Sequence, residues 1–143
     1  MNKIQVKIFD ERISEDDIKY QSEYAGGIDL FALPTVGGAE YGVGTGIGVK
    51  IPQGYVGIVI PRSSAGKRGY SLRNTIGVID SDYRGEIRLL LNRNITEKVR
   101  IAQLLIMPCP QFELEFVKEG DTLGKAWNDT ERGEGGFGST GTY

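Results

Sequence analysis

The sequence predicts an all-β domain, a jelly roll or sandwich with very little helix, and three observations carry that reading. Apolar runs are short: about eight to ten segments of strand length recur, alternating or continuous in their apolar residues. Turn-forming residues part them at close intervals. Glycine supplies 21 of the 143 residues, about twice its ordinary share, and backbone that turns tightly or packs closely needs it. No linker or internal repeat divides the chain. A single domain of this length buries roughly two-thirds of its unfolded surface.

Ile4, Val6 and Ile8 alternate with Lys3, Gln5 and Lys7, the pattern of a half-buried strand. Residues 11–23 are polar and rich in acids (Glu11, Glu15, Asp16, Asp17), and read as a loop with one helical turn starting at Ser14. Ala25-Gly26-Gly27-Ile28-Asp29-Leu30-Phe31-Ala32 is a short apolar strand with a carboxylate inside it. Asp29 either faces solvent, opposite Ile28 and Leu30, or serves as a ligand. Residues 37–48 hold six glycines and must turn. Ile47 and Val49 begin another strand, closed by Pro52-Gln53-Gly54, and residues 56–60 form a fully apolar one. Pro61 ends it. The serine pair that follows, Ser63-Ser64, either caps a short helix or joins the bidentate donor Arg62 in holding an anion.

Gly77-Val78-Ile79-Asp80-Ser81-Asp82-Tyr83-Arg84-Gly85-Glu86-Ile87 organises the rest. An apolar run enters a carboxylate, turn formers bend the chain, and a strand-like run leaves. Such a hairpin presents Asp80 and Tyr83 at its tip on a rigid mount. Residues 100–108 then make a buried strand with one isolated polar group, Gln103. An unsatisfied buried amide costs on the order of 1–3 kcal/mol, so Gln103 needs a partner. Phe112, Leu114 and Phe116 alternate with Glu113 and Glu115, the pattern of a last core strand. From Trp127 the composition shifts. Residues 131–141 set five glycines around Arg132, Phe137 and Ser139, a flexible arm by composition, with only a weak likeness to phosphate-cradling loops.

Charge and residue usage exclude much. A net charge of −2 and a pI of 5.2 offer no basic field to nucleic acid, so a phosphate-bearing substrate must be held by a few placed arginines. There is no histidine, which removes His-metal sites, Ser-His-Asp triads and Cys-His pairs together. A general base must be a carboxylate, a lysine or a tyrosine. The single cysteine, Cys109, sits beside an apolar run and is expected to be a buried small hydrophobe. No apolar run approaches membrane-spanning length, and no leader is visible. The expectation is a soluble cytoplasmic protein (in the host compartment if viral) with neither membrane nor nucleic acid as partner.

Five of these segments, in order, resemble the five motifs of the trimeric deoxyuridine triphosphate nucleotidohydrolase (dUTPase) family: residues 25–32, 61–69, 77–87, 100–108 and 132–141. The likeness takes in Thr45-Gly46-Ile47 and Ile51-Pro52-Gln53-Gly54 as well. It implies a jelly-roll or distorted β-barrel subunit over residues 1–126, with residues 127–143 as an arm closing over an active site. It implies a homotrimer whose sites are shared between chains. The implied reaction is Mg2+-dependent hydrolysis of dUTP to dUMP and pyrophosphate, which keeps uracil out of DNA and supplies dUMP for thymidylate synthesis.

The same resemblance assigns roles. Asp80 is the implied general base, orienting a water toward the α-phosphorus, and Tyr83 lies against the deoxyribose. Main chain over residues 74–79, including Gly77, Val78 and Ile79, reads the uracil with the Asn74 side chain. Asn74 is placed by counting back six from Asp80. Arg62, Ser63, Ser64 and Gln103 hold phosphates. Asp29 reaches Mg2+ only through water, the ion being bound mainly by the triphosphate. Phe137 covers the uracil with Gly138 beside it, while Arg132 and Ser139 face the terminal phosphates. One departure is that Ile95-Thr96-Glu97-Lys98-Val99 lacks the Gly-Asp or Gly-Glu turn usual before the fourth motif. The rival readings are a dCTP deaminase-like member of the same fold and an added regulatory protein-binding role.

Overall fold

A computed structural model describes residues 2–35, 42–120 and 127–138. Eight strands and one short helix are formed in it: β1 (Gln5–Ile8), β2 (Ile28–Ala32), β3 (Val43–Gly44), β4 (Ile47–Lys50), β5 (Tyr55–Pro61), α1 (Ser63–Lys67), β6 (Gly77–Ile79), β7 (Arg88–Leu89) and β8 (Val99–Pro108). The chain divides into two compact units, Met1–Gln111 and Phe112–Tyr143, and the division expected after residue 126 lies inside the second. Among the described residues no helix is long and apolar enough to cross a membrane.

The principal sheet has the order β2-β8-β5-β6, all antiparallel. β8 can sit at its centre because residues 99–108 are almost continuously apolar, as a strand flanked on both sides requires. β1 pairs with β4, Gln5 opposite Lys50, and β3 pairs with β7. Leu30, Leu33, Ile47, Ile51, Ile87, Leu89, Ile101 and Leu104 are completely enclosed, so this core draws on nearly every element of the first unit. Leu104 stands opposite Ile28 of β2 and Val59 of β5, and truncating it to alanine costs about 2–5 kcal/mol.

The turn expected at Ser14 is present as a single 3-10 turn, Glu15–Asp17. The Ser14 N–H and hydroxyl donate to Asp17 Oδ2 at 2.9 and 3.3 Å, and the loop is tied down where the Lys98 ammonium meets the same oxygen at 2.8 Å. β1 alternates as expected but remains exposed along its length.

Three expectations are corrected. Cys109 is exposed among the described residues: it lies just past the end of β8, where its N–H reaches the Gly54 carbonyl at 2.8 Å. The serines do not cap α1. Arg62 is its N-cap residue, without a side-chain cap bond, and Ser63 and Ser64 are the first residues inside the helix. Phe112, Leu114 and Phe116 form no core strand either; they are 80%, 73% and 79% exposed. Their alternation is a strand pattern that needs a partner edge, and the described residues of this chain provide none.

Candidate active site

Of the residues singled out by sequence, those of the first unit fall into two groups along β5. At its Pro61 end, Asp29 of β2 lies opposite Gln103 of β8, and Gln103 opposite Ile60 of β5. Beside this row the pairing slips: Leu30 opposes Ala102, whereas Phe31 opposes Arg100. The extra residue in β8 is a bulge, a device that re-aims side chains, and Arg100 comes round onto Asp29. Arg62 Nε stands 3.2 Å from Asp29 Oδ1 and Arg100 Nη1 3.5 Å from Oδ2. Asp29 is therefore no solvated acid: it is only 6% exposed, and two guanidiniums compensate a charge that would be costly to bury alone.

Arg62 is fixed by its own backbone, its N–H donating to the Ile101 carbonyl at 2.8 Å, while its Nη1 donates to the Arg100 carbonyl at 3.4 Å. Gln103 finds the partner it needs in the Pro61 carbonyl, across a long 3.5 Å. Ser63 and Ser64 are exposed beside them. Asp29 Oδ2 accepts no hydrogen bond among the described residues, which leaves one buried acceptor open in a ring of donors.

The second cluster follows β6 along β5, Gly77 opposite Val59 and Val78 opposite Ile58, and reaches the Tyr55 end with Asp80. Ile79 of β6 lies opposite Gly57 of β5, so Asp80 follows beside Val56. The Tyr83 N–H closes the turn on the Asp80 carbonyl at 3.1 Å, and the Tyr83 hydroxyl donates to the Glu86 carbonyl at 2.8 Å. The outgoing leg is clamped to β4: the Ile87 N–H reaches the Ile47 carbonyl at 2.8 Å, and the Thr45 N–H reaches the Ile87 carbonyl at 3.0 Å. A cleft of about 520 Å³ opens here, lined by Asn74, Gly77, Val78, Ile79, Asp80 and Tyr83, with Glu86 and Arg88 among its other walls. At its mouth the Asn74 amide donates to the Ile76 carbonyl at 3.3 Å. A second hollow of about 1170 Å³ is lined by Lys3, Lys50, Arg84 and Cys109, and Asp80 belongs to both.

The two clusters are distinct. From Val56, beside Asp80, to Arg62 is six residues of extended chain, or about 20 Å.

The family model described as dUTPase matches residues 14–141 of this chain. The chain belongs to the dUTPase family. Curated dUTPases resemble it over most of its length. The deoxyuridine 5'-triphosphate nucleotidohydrolase of Beijerinckia indica subsp. indica is 44% identical, over 85% of this chain and 81% of that protein. That of Ralstonia pickettii is 37% identical over 99% of both, and that of Escherichia phage T5 39% identical over 87% of this chain and 90% of its own. A solved structure of the Staphylococcus bacteriophage 80alpha dUTPase with dUpNHpp has a TM-score of 0.73 at 25% identity, covering 99% of this chain and 100% of that one.

For this dUTPase, then, Asn74, Gly77, Val78, Ile79, Asp80 and Tyr83 come together in one cleft, and Asp29, Arg62 and Gln103 in another cluster with Ser63 and Ser64 alongside. Arg132, Phe137 and Gly138 belong to the second unit. There the Arg132 Nε donates to the Gly135 carbonyl at 2.8 Å and Phe137 is fully exposed. Ser139 lies outside the described residues. Sequence reasoning passed over Arg100. Its only signal was a cation three residues before Gln103 in an otherwise apolar run, and the bulge that turns it inward has no signature in the sequence.

Proposed function

We propose that this chain hydrolyses dUTP to dUMP and pyrophosphate. The observation that carries the reading is Asp80: a carboxylate at the rim of a nucleoside-sized cleft, on a turn whose two legs are bonded into different sheets, in a chain without histidine. Asp80 accepts a proton from a water as the water oxygen bonds to the α-phosphorus. The bond from that phosphorus to the bridging oxygen breaks, and its electron pair leaves with pyrophosphate. Main chain along residues 74–79 and the Asn74 amide read the uracil edge, so cytosine leaves those groups unpaired. Tyr83 forms the wall along the deoxyribose and leaves no room for a 2′-hydroxyl. Arg62, Ser63, Ser64 and Gln103 take the phosphates. From the arm, Arg132 and Ser139 meet the terminal phosphates, and Phe137 covers the base beside Gly138.

Mg2+ fits this donor set. Among the described residues no three His, Cys, Asp or Glu side chains converge on a metal position, but the open, buried Asp29 Oδ2 would accept from a water of a hydrated ion held chiefly by substrate phosphates. When bound, the ion neutralises charge on the phosphates.

The reading includes a homotrimer with shared sites. A triphosphate whose α-phosphorus lies at Asp80 cannot extend along the whole of β5 to Arg62 of the same chain, so Arg62 comes from another copy. The uncovered Phe112, Leu114 and Phe116 favour assembly as well. The test is a pyrophosphate-release assay across the deoxynucleoside triphosphates and UTP, with ammonia release from dCTP followed in parallel and mass by light scattering. Pyrophosphate from dUTP alone, at three times 15.7 kDa, is expected. Ammonia from dCTP, or an active monomer, overturns the corresponding part.

A further inference from the structure

Gly85 lies against Tyr83 so closely that no larger residue fits. A Cβ built at Gly85 would stand 2.6 Å from Tyr83 Cζ and 3.0 Å from Cε1, and closer still to the hydroxyl oxygen. Carbon atoms in contact prefer 3.5–4.0 Å, so a single methyl group displaces the ring by about 1 Å. The Gly85 φ does not lie in the left-handed region, so an alanine there meets no backbone strain. Its whole effect falls on the tyrosine. Gly85 is also held from behind, since a Cβ at Gly48 of β4 would come within 2.6 Å of the Gly85 carbonyl oxygen. This close packing on the bare Gly48 backbone leaves the turn little room to retreat.

The ring is fixed at two points. One edge rests on the bare Gly85 backbone, and the hydroxyl donates to the Glu86 carbonyl at 2.8 Å. Tyr83 is nonetheless 42% exposed, with its remaining surface in the wall of the cleft that holds Asn74 and Asp80. A half-exposed aromatic without these two restraints samples several rotamers. With them it presents one flat surface at one height.

We propose that Gly85 is a positioning residue for sugar specificity. By leaving its Cβ position vacant it lets the Tyr83 ring lie flush, with its hydroxyl on Glu86, at the height where the wall accepts a 2′-deoxyribose and excludes a ribose. This rests on the reading of Tyr83 as the wall of the sugar pocket. In Gly85→Ala the hydroxyl leaves the Glu86 carbonyl and the ring swings free. The wall is lost to both sugars, and the penalty on the 2′-hydroxyl goes with it.

The experiment measures kcat/KM for dUTP and UTP, with thermal midpoints, in Gly85→Ala, Tyr83→Ala, the double variant and Tyr83→Phe. The dUTP:UTP ratio is expected to fall at least about tenfold in Gly85→Ala, with a midpoint near that of the parent. The double variant should be no less selective than Tyr83→Ala alone, because residues acting as one unit do not add. Tyr83→Phe, which removes the anchor without adding volume, should lower the ratio partway, and it reads the anchor even where the alanine variant folds poorly. If Tyr83→Ala lowers the ratio and Gly85→Ala does not, the Gly85 proposal fails while the sugar-wall reading stands. If Tyr83→Ala leaves the ratio unchanged, both fail. Additive losses in the double variant assign Gly85 a separate structural role and also overturn the proposal.

Discussion

Thr45 and Ile87 are joined twice: both the N–H and the hydroxyl of Thr45 donate to the Ile87 carbonyl, at 3.0 and 2.8 Å. Thr45 is completely buried. The pair fixes the chain leaving the Asp80–Tyr83 turn to the turn before β4. Thr45→Val keeps the shape and removes the hydroxyl. One backbone donor still serves the carbonyl, so the expected loss is about 1 kcal/mol, or a midpoint lower by roughly 3–5 °C. A variant that melts with the parent shows that the second bond contributes nothing.

Asp80→Asn keeps the size of the side chain and abolishes its basicity. With no histidine in the chain to substitute, kcat is expected to fall on the order of 10²–10⁴-fold while dUTP still binds. Single-turnover rates beside equilibrium binding of dUTP measure both halves. Turnover within tenfold of the parent removes Asp80 from the role of base.

The arm gives the third expectation. If the arm closes on substrate as proposed, substrate contacts must offset the ordering of glycines at 133, 135, 136, 138 and 141, since each residue fixed costs roughly 1–2 kcal/mol of backbone entropy. A chain ending at Glu131 should keep its midpoint and assembly and lose most of its kcat/KM. Undiminished activity, or early melting, defeats the lid reading.

Acid stability should depend on Asp17. The Lys98 ammonium, and secondarily the Ser14 N–H, hold its carboxyl below the usual carboxylate range. Asp10 is drawn down to about 2 by the Arg12 guanidinium and N–H. A carboxylate depressed in the folded state contributes stability that is present above its ordinary value, about 3.9, and lost as pH falls through the lowered one. Asp17→Asn should therefore lower stability at pH 7 by about 0.2–1 kcal/mol, as an exposed pair does. The gap to the parent should close below pH about 4. Melting curves from pH 7 to pH 2 test this, and a gap constant with pH rules it out.

Much of this was legible from residue pattern. Alternation and turn formers located the strands, and Val78-Ile79 running into Asp80 marked the turn that carries the cleft; the hairpin expected there is not formed, because β6 pairs with β5 and β7 with β3, so the two legs enter different sheets. The misreadings share one cause: a sequence shows what a segment needs and not whether the need is met. Phe112, Leu114 and Phe116 carry the period of a core strand, but no partner edge is present among the described residues. Cys109 sits beside an apolar run, yet just beyond the point where β8 leaves the core. Asp29 looked neutral between solvent and ligand because its two compensating cations come from β8 and from the residue after β5. The one from β8 depends on a bulge.

Because Asp80 and Arg62 stand at opposite ends of β5, a lesion in either leaves the other half of the site intact on the same chain. In the proposed trimer this makes genetics a structural probe. An Asp80→Asn chain and an Arg62→Gln chain, each inactive alone, complement one another on co-assembly. One supplies the guanidinium and the other the carboxylate, and random assortment restores about one site in four. A chain lacking both groups at once is the more harmful lesion: making up half of the pool, it spoils about three sites in four, whereas a chain lacking either group alone spoils only its share.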